Sequence, residues 1–173
     1  MRLFIAINFS DSTRAKLLAL RDEIQLCSQR GNFCLPENLH LTLAFLGECD
    51  TKQTSALKAA IDTVAFEPIE VCIDNIGRFK RDRGDIWWAG LRKNEPLLAA
   101  HSELTDKLIA SGFALDRREY KPHITLGREV VTDALPRHLE AFGEAVKCID
   151  LMKSERVAGR LNYTAIHSIR CKS

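Results

Sequence analysis

The sequence predicts an α+β fold: a bilobal, duplicated arrangement of two mainly antiparallel sheets, with helices on the outside and a central groove. Three observations point there. Strand-like and helical segments follow one another irregularly, as strand, helix, strand, helix, strand, strand, helix, strand, strand, strand. No Pro/Gly/Ser-rich linker divides the chain, so residues 1–173 are expected to form a single domain of two similar lobes. A four-residue pattern, His-aliphatic-Thr-Leu, occurs once in each half, at His40-Leu41-Thr42-Leu43 and at His123-Ile124-Thr125-Leu126.

Residues 2–9 read as a buried strand. Ser10, Asp11 and Ser12 then offer cap oxygens to a helix whose apolar face runs Leu17, Leu20, Ile24, Cys27. A loop carrying Gly31 and Pro36 leads to a strand over 38–46, closed by Gly47. Thr51 is expected to cap a second helix through Leu57, Ile61 and Val64. Pro68 starts a strand to Phe79, and "RFKRDRGD" forms a solvated hairpin tip in which Gly84 takes the turn dihedrals before "IWWAGL" returns. Asn94 or Glu95 leads through Pro96 into a helix that Gly112 stops. A short "FAL" strand, a strand over 120–128, a short helix over 134–142 and a final pair, "AVKCIDLMKS" and "RLNYTAIHSI", complete the expectation.

Composition excludes several classes of function. A hydrophobic fraction of 46% over 173 residues is ample for a core, so disorder is not the default. A net charge of +2 is too small to hold long nucleic acid by electrostatics alone, although a short phosphorylated end remains welcome. The six cysteines show no Cys-x-x-Cys pair or zinc spacing and suit a reducing cytoplasm. The apolar start lacks a cleavage pattern, and no stretch approaches the ~20 apolar residues of a membrane helix.

Alternation along a strand puts His40 with Thr42 and His123 with Thr125, while the aliphatic residues between them face a core. A single His-x-Thr strand is ordinarily structural, because threonine favours strands and a buried imidazole can bond a neighbour. Two copies in a chain with five histidines point instead to a shared site. No third ligand with suitable spacing supports a metal, and no nucleophile elbow is present. Histidine titrates near neutrality, so one neutral ring can accept a proton while one protonated ring donates, as in-line hydrolysis of a phosphodiester requires. The threonine hydroxyls can donate to phosphate oxygens.

The segments "ENLHLTLAFLGE" and "YKPHITLGRE", with "RLFIAINF", "IGRFKRDRGDIWWAGL" and "LMKSE", resemble the two-histidine (2H) phosphoesterases, above all the RNA 2′,3′-cyclic phosphodiesterases also called 2′-5′ RNA ligases. The resemblance spans nearly the whole chain. It implies hydrolysis of a ribose 2′,3′-cyclic phosphate to a 2′-phosphate without metal or other cofactor. His123 would deprotonate water, His40 would protonate the departing 3′ oxygen, and Thr42 and Thr125 would hold non-bridging oxygens. With a 5′-hydroxyl in the water's place, the same pair would make a 2′-5′ linkage without ATP, consistent with the lack of a Walker-type loop. It further implies a base-stacking role for Phe45 and a phosphate-binding role for Arg128, each five residues beyond its histidine. Strict alternation would turn both toward the core, so a bend or bulge after Ala44 and at Gly127 is expected. The expected partners are RNA ends or short nucleotides bearing a cyclic phosphate, met by a cytoplasmic monomer. Trp87 and Trp88 should divide between core and groove, and His101, His138 and His167 are assigned surface or structural places.

Overall fold

In the computed structural model, which describes residues 1–173, the order is β1 (Arg2–Asn8), α1 (Asp11–Leu26), β2 (Ser28–Phe33), a 3₁₀ turn (Pro36–Asn38), β3 (His40–Glu48), α2 (Thr51–Asp62), β4 (Ile69–Phe79), β5 (Asp85–Leu91), α3 (Glu95–Ala110), β6 (His123–Thr132), β7 (Arg137–Val146), β8 (Cys148–Val157) and β9 (Arg160–Arg170). The strands make two antiparallel sheets, one ordered β3-β1-β8-β9 and the other β2-β6-β5-β4-β7. This is the predicted α+β class. Each sheet is interleaved in sequence: the first joins the chain's beginning to its end, and the second takes β2 from the early part and the rest from the middle. No helix is long and apolar enough to cross a membrane.

The helices lie where apolar spacing and capping residues set them. In α1, Leu17, Leu20 and Ile24 are buried along one stripe, and the Ser10 hydroxyl caps the Thr13 amide. In α2 the cap is Asp50 rather than the expected Thr51. Its carboxylate accepts from the Gln53 amide at 2.7 Å while the Gln53 side chain accepts from the Asp50 amide at 2.9 Å, a closed capping box. Asn94 caps α3, and Gly112, with φ +88°, turns the chain out of it. One continuous apolar cluster of 32 residues runs through both sheets' inner faces and includes Leu41, Leu43, Trp87, Ile124 and Leu126.

Three expectations are corrected. Residues 28–33 form edge strand β2 rather than a loop; the segment is polar, bulged twice against β6 and apolar at neither face throughout, so it carries no alternation. Residues 137–146 form edge strand β7 rather than part of a short helix over 134–142. Leu139 and Phe142 sit at helical spacing, but a register shift against β4 falls between them, and both pack on the core from a strand. Gly143 allows this pairing, because a Cβ there would stand 1.8 Å from the Val71 carbonyl oxygen. The "FAL" segment forms no strand: the Phe113 amide bonds back to the Leu108 carbonyl, ending α3, and Phe113 and Leu115 pack on the core as loop residues.

Candidate active site

Both His-x-Thr strands place their aliphatic residues in the core and their polar pairs on the other face. Leu41, Leu43, Ile124 and Leu126 are buried, whereas His40, Thr42, His123 and Thr125 are half-buried. The two strands belong to different sheets yet lie against each other. The Arg128 charge lowers the pKa of both imidazoles.

The environments of the two rings correspond closely. His40 Nδ1 lies 2.7 Å from the Asn38 carbonyl oxygen, and His123 Nδ1 lies 2.6 Å from that of Lys121. A carbonyl only accepts, so each Nδ1 carries the proton and donates it to the residue two positions back. That fixes the tautomer and leaves Nε2 as the working nitrogen in both. His40 Nε2 meets the Thr42 hydroxyl at 2.9 Å. Aromatic rings wall each imidazole: Phe4 and Tyr163 stand 5.0 and 5.3 Å from His40, and Phe79 and Trp88 stand 5.0 and 6.3 Å from His123. Burial is the main cause that pushes both histidines below their usual pKa of 6.5; Arg128 adds to it, and the backbone hydrogen bonds oppose it.

A bulge in each strand resolves the parity conflict. In β3, Thr42 pairs with Ala6 and Ala44 with Ile5, leaving Leu43 as the extra residue. In β6, Thr125 pairs with Trp88 and Gly127 with Trp87, leaving Leu126 extra. Each bulge stands at the third position after the histidine, just ahead of the places expected, and returns the fifth position to the histidine's face. Phe45 is accordingly 67% exposed, with its ring 6.4 Å from Phe4 on the face of His40. Arg128 is exposed, and Gly127 before it faces the core opposite Trp87.

Tyr120 joins the sheets across the β3 bulge, donating its hydroxyl to the Thr42 carbonyl at 2.9 Å. His101 stacks on the Tyr120 ring at 3.8 Å and 3° between planes, which gives this histidine a structural place. His167 pairs with Asp62 at 2.6 Å, and His138 is exposed on β7. Trp87 is fully buried and Trp88 faces the groove, as alternation requires. Sequence reasoning missed Phe4, Tyr163 and Phe79 as walls of the site. The available signal was parity with Ala6 in β1, which a uniformly apolar strand conceals.

Two antiparallel sheets that each bring one His-x-Thr strand to a common seam, with the polar pair turned away from the core, are the architecture of a two-histidine phosphoesterase. The chain belongs to the 2′-5′ RNA ligase superfamily, whose family profile matches residues 10–167. It is 30% identical to the RNA 2′,3′-cyclic phosphodiesterase of Archaeoglobus fulgidus over 83% of this chain and 85% of that one. It is 31% identical to the enzyme of the same name from Methanocaldococcus jannaschii, over 89% and 91% of the two chains. Among solved structures, Escherichia coli LigT complexed with 3′-AMP superposes with a TM-score of 0.86 at 26% identity, covering 99% of this chain and 98% of that one.

Proposed function

We propose that this protein hydrolyses the 2′,3′-cyclic phosphate ends of RNA to 2′-phosphates by two-histidine general acid–base catalysis. The observation that carries the reading is the matched pair of imidazoles, each with Nδ1–H held by the carbonyl two residues back and each on one of two strands that lie against each other. The names of the relatives support the same chemistry.

His123 Nε2 takes a proton from water as its oxygen attacks phosphorus, and the P–O3′ bond opposite breaks. His40 Nε2–H gives its proton to the departing 3′ oxygen, leaving the phosphate on the 2′ oxygen. Turnover leaves His123 protonated and His40 neutral, and exchange with solvent resets them. In neutral His40, Nε2 accepts from the Thr42 hydroxyl; once protonated, Nε2 no longer accepts, and the hydroxyl hydrogen is released toward a non-bridging phosphate oxygen. Thr125, half-buried on the face of His123, offers its hydroxyl to another non-bridging oxygen. Arg128 pairs with the phosphate charge, and the exposed Phe45 ring offers a stacking face to the terminal base.

In this reading residues 1–173 act as one domain of two pseudo-symmetric lobes, a monomer in the cytoplasm, where its six free thiols stay reduced. A 5′-hydroxyl taking the water's place would give a 2′-5′ linkage. Reaction in ¹⁸O-water tests the proposal: hydrolysis puts one label into a 2′-phosphate, whereas an unlabelled joined strand would establish ligation and a labelled 3′-phosphate would reverse the assignment of the leaving oxygen.

A further inference from the structure

The charged β4–β5 tip is more than a solvated turn. Lys80, Arg81 and Arg83 project from it into solvent, joined by the exposed Arg30 of β2, whose guanidinium donates to the Arg83 carbonyl at 2.9 Å. None of these four cations, nor Arg128, takes part in an ion pair, whereas Arg78 at the base of the same hairpin is held by Asp85 at 3.5 Å. Two lines of contact connect the tip to the site. His123 abuts Phe79 at 5.0 Å, and the Arg81 guanidinium lies 5.9 Å over the same ring. Along the other line, Arg128 is followed by Glu129, whose backbone packs so tightly on Gly84 that a Cβ there would stand 2.5 Å from it. The Glu129 carboxylate is occupied by the Asn32 amide at 2.8 Å.

A strip of cations free of ion pairs, broken only by the exposed Asp82, that starts at the proposed phosphate-binding arginine and interleaves with an aromatic ring fits a single-stranded polyanion. We propose that this tip, with Arg30, is a track for the phosphates of the RNA strand behind the cyclic end, so that the site selects oligonucleotides over cyclic mononucleotides. The inference rests on the hydrolytic reading above.

The test compares wild type with a Lys80→Gln/Arg81→Gln/Arg83→Gln variant on two substrates, cytidine 2′,3′-cyclic phosphate and a ten-nucleotide RNA ending in the same group. The expected result is unchanged turnover of the mononucleotide, about tenfold lower kcat/KM on the oligonucleotide at low salt, and a log–log salt slope shallower by about 2, since each single-strand phosphate contact contributes ~0.7. Equal losses on both substrates, or none on either, would overturn the track. So would the oligonucleotide loss appearing instead in an Arg156→Gln/Arg160→Gln variant of the β8–β9 hairpin. If wild type cleaves neither substrate, the hydrolytic reading fails by itself. Fluorescence anisotropy of a labelled single-stranded RNA then decides the track: weaker binding by the triple variant supports it, and equal binding refutes it.

Discussion

The imidazoles of His40 and His123 each stand between opposing influences: burial and the Arg128 charge favour the neutral ring, and the carbonyl at Nδ1 favours the charged one. The first set prevails in both. In the proposed mechanism the base, His123, must be neutral, so kcat/KM should rise with pH through its pKa; the acid, His40, must be protonated, so kcat/KM should fall through its pKa. Both values lie below 6.5, which places the optimum of the bell on the acid side of 6.5. Arg128→Gln removes one lowering cause from each ring, so both limbs move to higher pH. In the proposed mechanism it also removes a charged phosphate contact, for an expected fall in kcat/KM of about tenfold to a hundredfold. A profile that stays in place in this variant would contradict the shared-neighbour geometry. Phe45→Ala should raise KM with little change in kcat and none in melting temperature, since the ring is 67% exposed.

At the scale of elements, the paired bulges at Leu43 and Leu126 make the site, because without them the fifth residue after each histidine would face the core. Tyr120→Phe removes the bond to the Thr42 carbonyl beside the first bulge; a stability loss of about 1 kcal/mol is expected, with kcat falling more than KM changes, checked by denaturant melts and initial rates. Gly143→Ala should destabilise by about 1–3 kcal/mol, since β7 must move off β4 to admit the methyl group, and thermal melting reads this directly. The three helices were legible because their stripes and caps are local signals. The His-x-Thr strands were legible because a repeated polar pair interrupts an apolar run. Edge strands β2 and β7 were not, as each pairs on one side only and carries bulges that scramble alternation. The need for bulges in β3 and β6 followed from parity alone, but their placement at the leucines depended on partners in β1 and β5 that sequence spacing does not reveal.

At the scale of the whole molecule, interleaving brings one histidine strand from each sheet to a common seam, and the 32-residue core passes beneath both. His40 and His123, the proposed acid and base, are thus held by two sheets that the Tyr120 hydrogen bond to the Thr42 carbonyl ties together. This division of labour predicts that neither histidine suffices alone: a single substitution should lower the rate by about 10²–10⁴-fold, and the double variant should lose little more than the worse single one. The most direct test uses an RNA oligonucleotide ending in a 2′,3′-cyclic phosphate, incubated in EDTA with wild type, His40→Ala and His123→Ala, each shown to be folded. The terminal group is read by mass and by phosphatase sensitivity. Wild type alone should convert the end to a 2′-phosphate; undiminished conversion by either variant, or activity lost in EDTA and restored by zinc, would refute two-histidine catalysis.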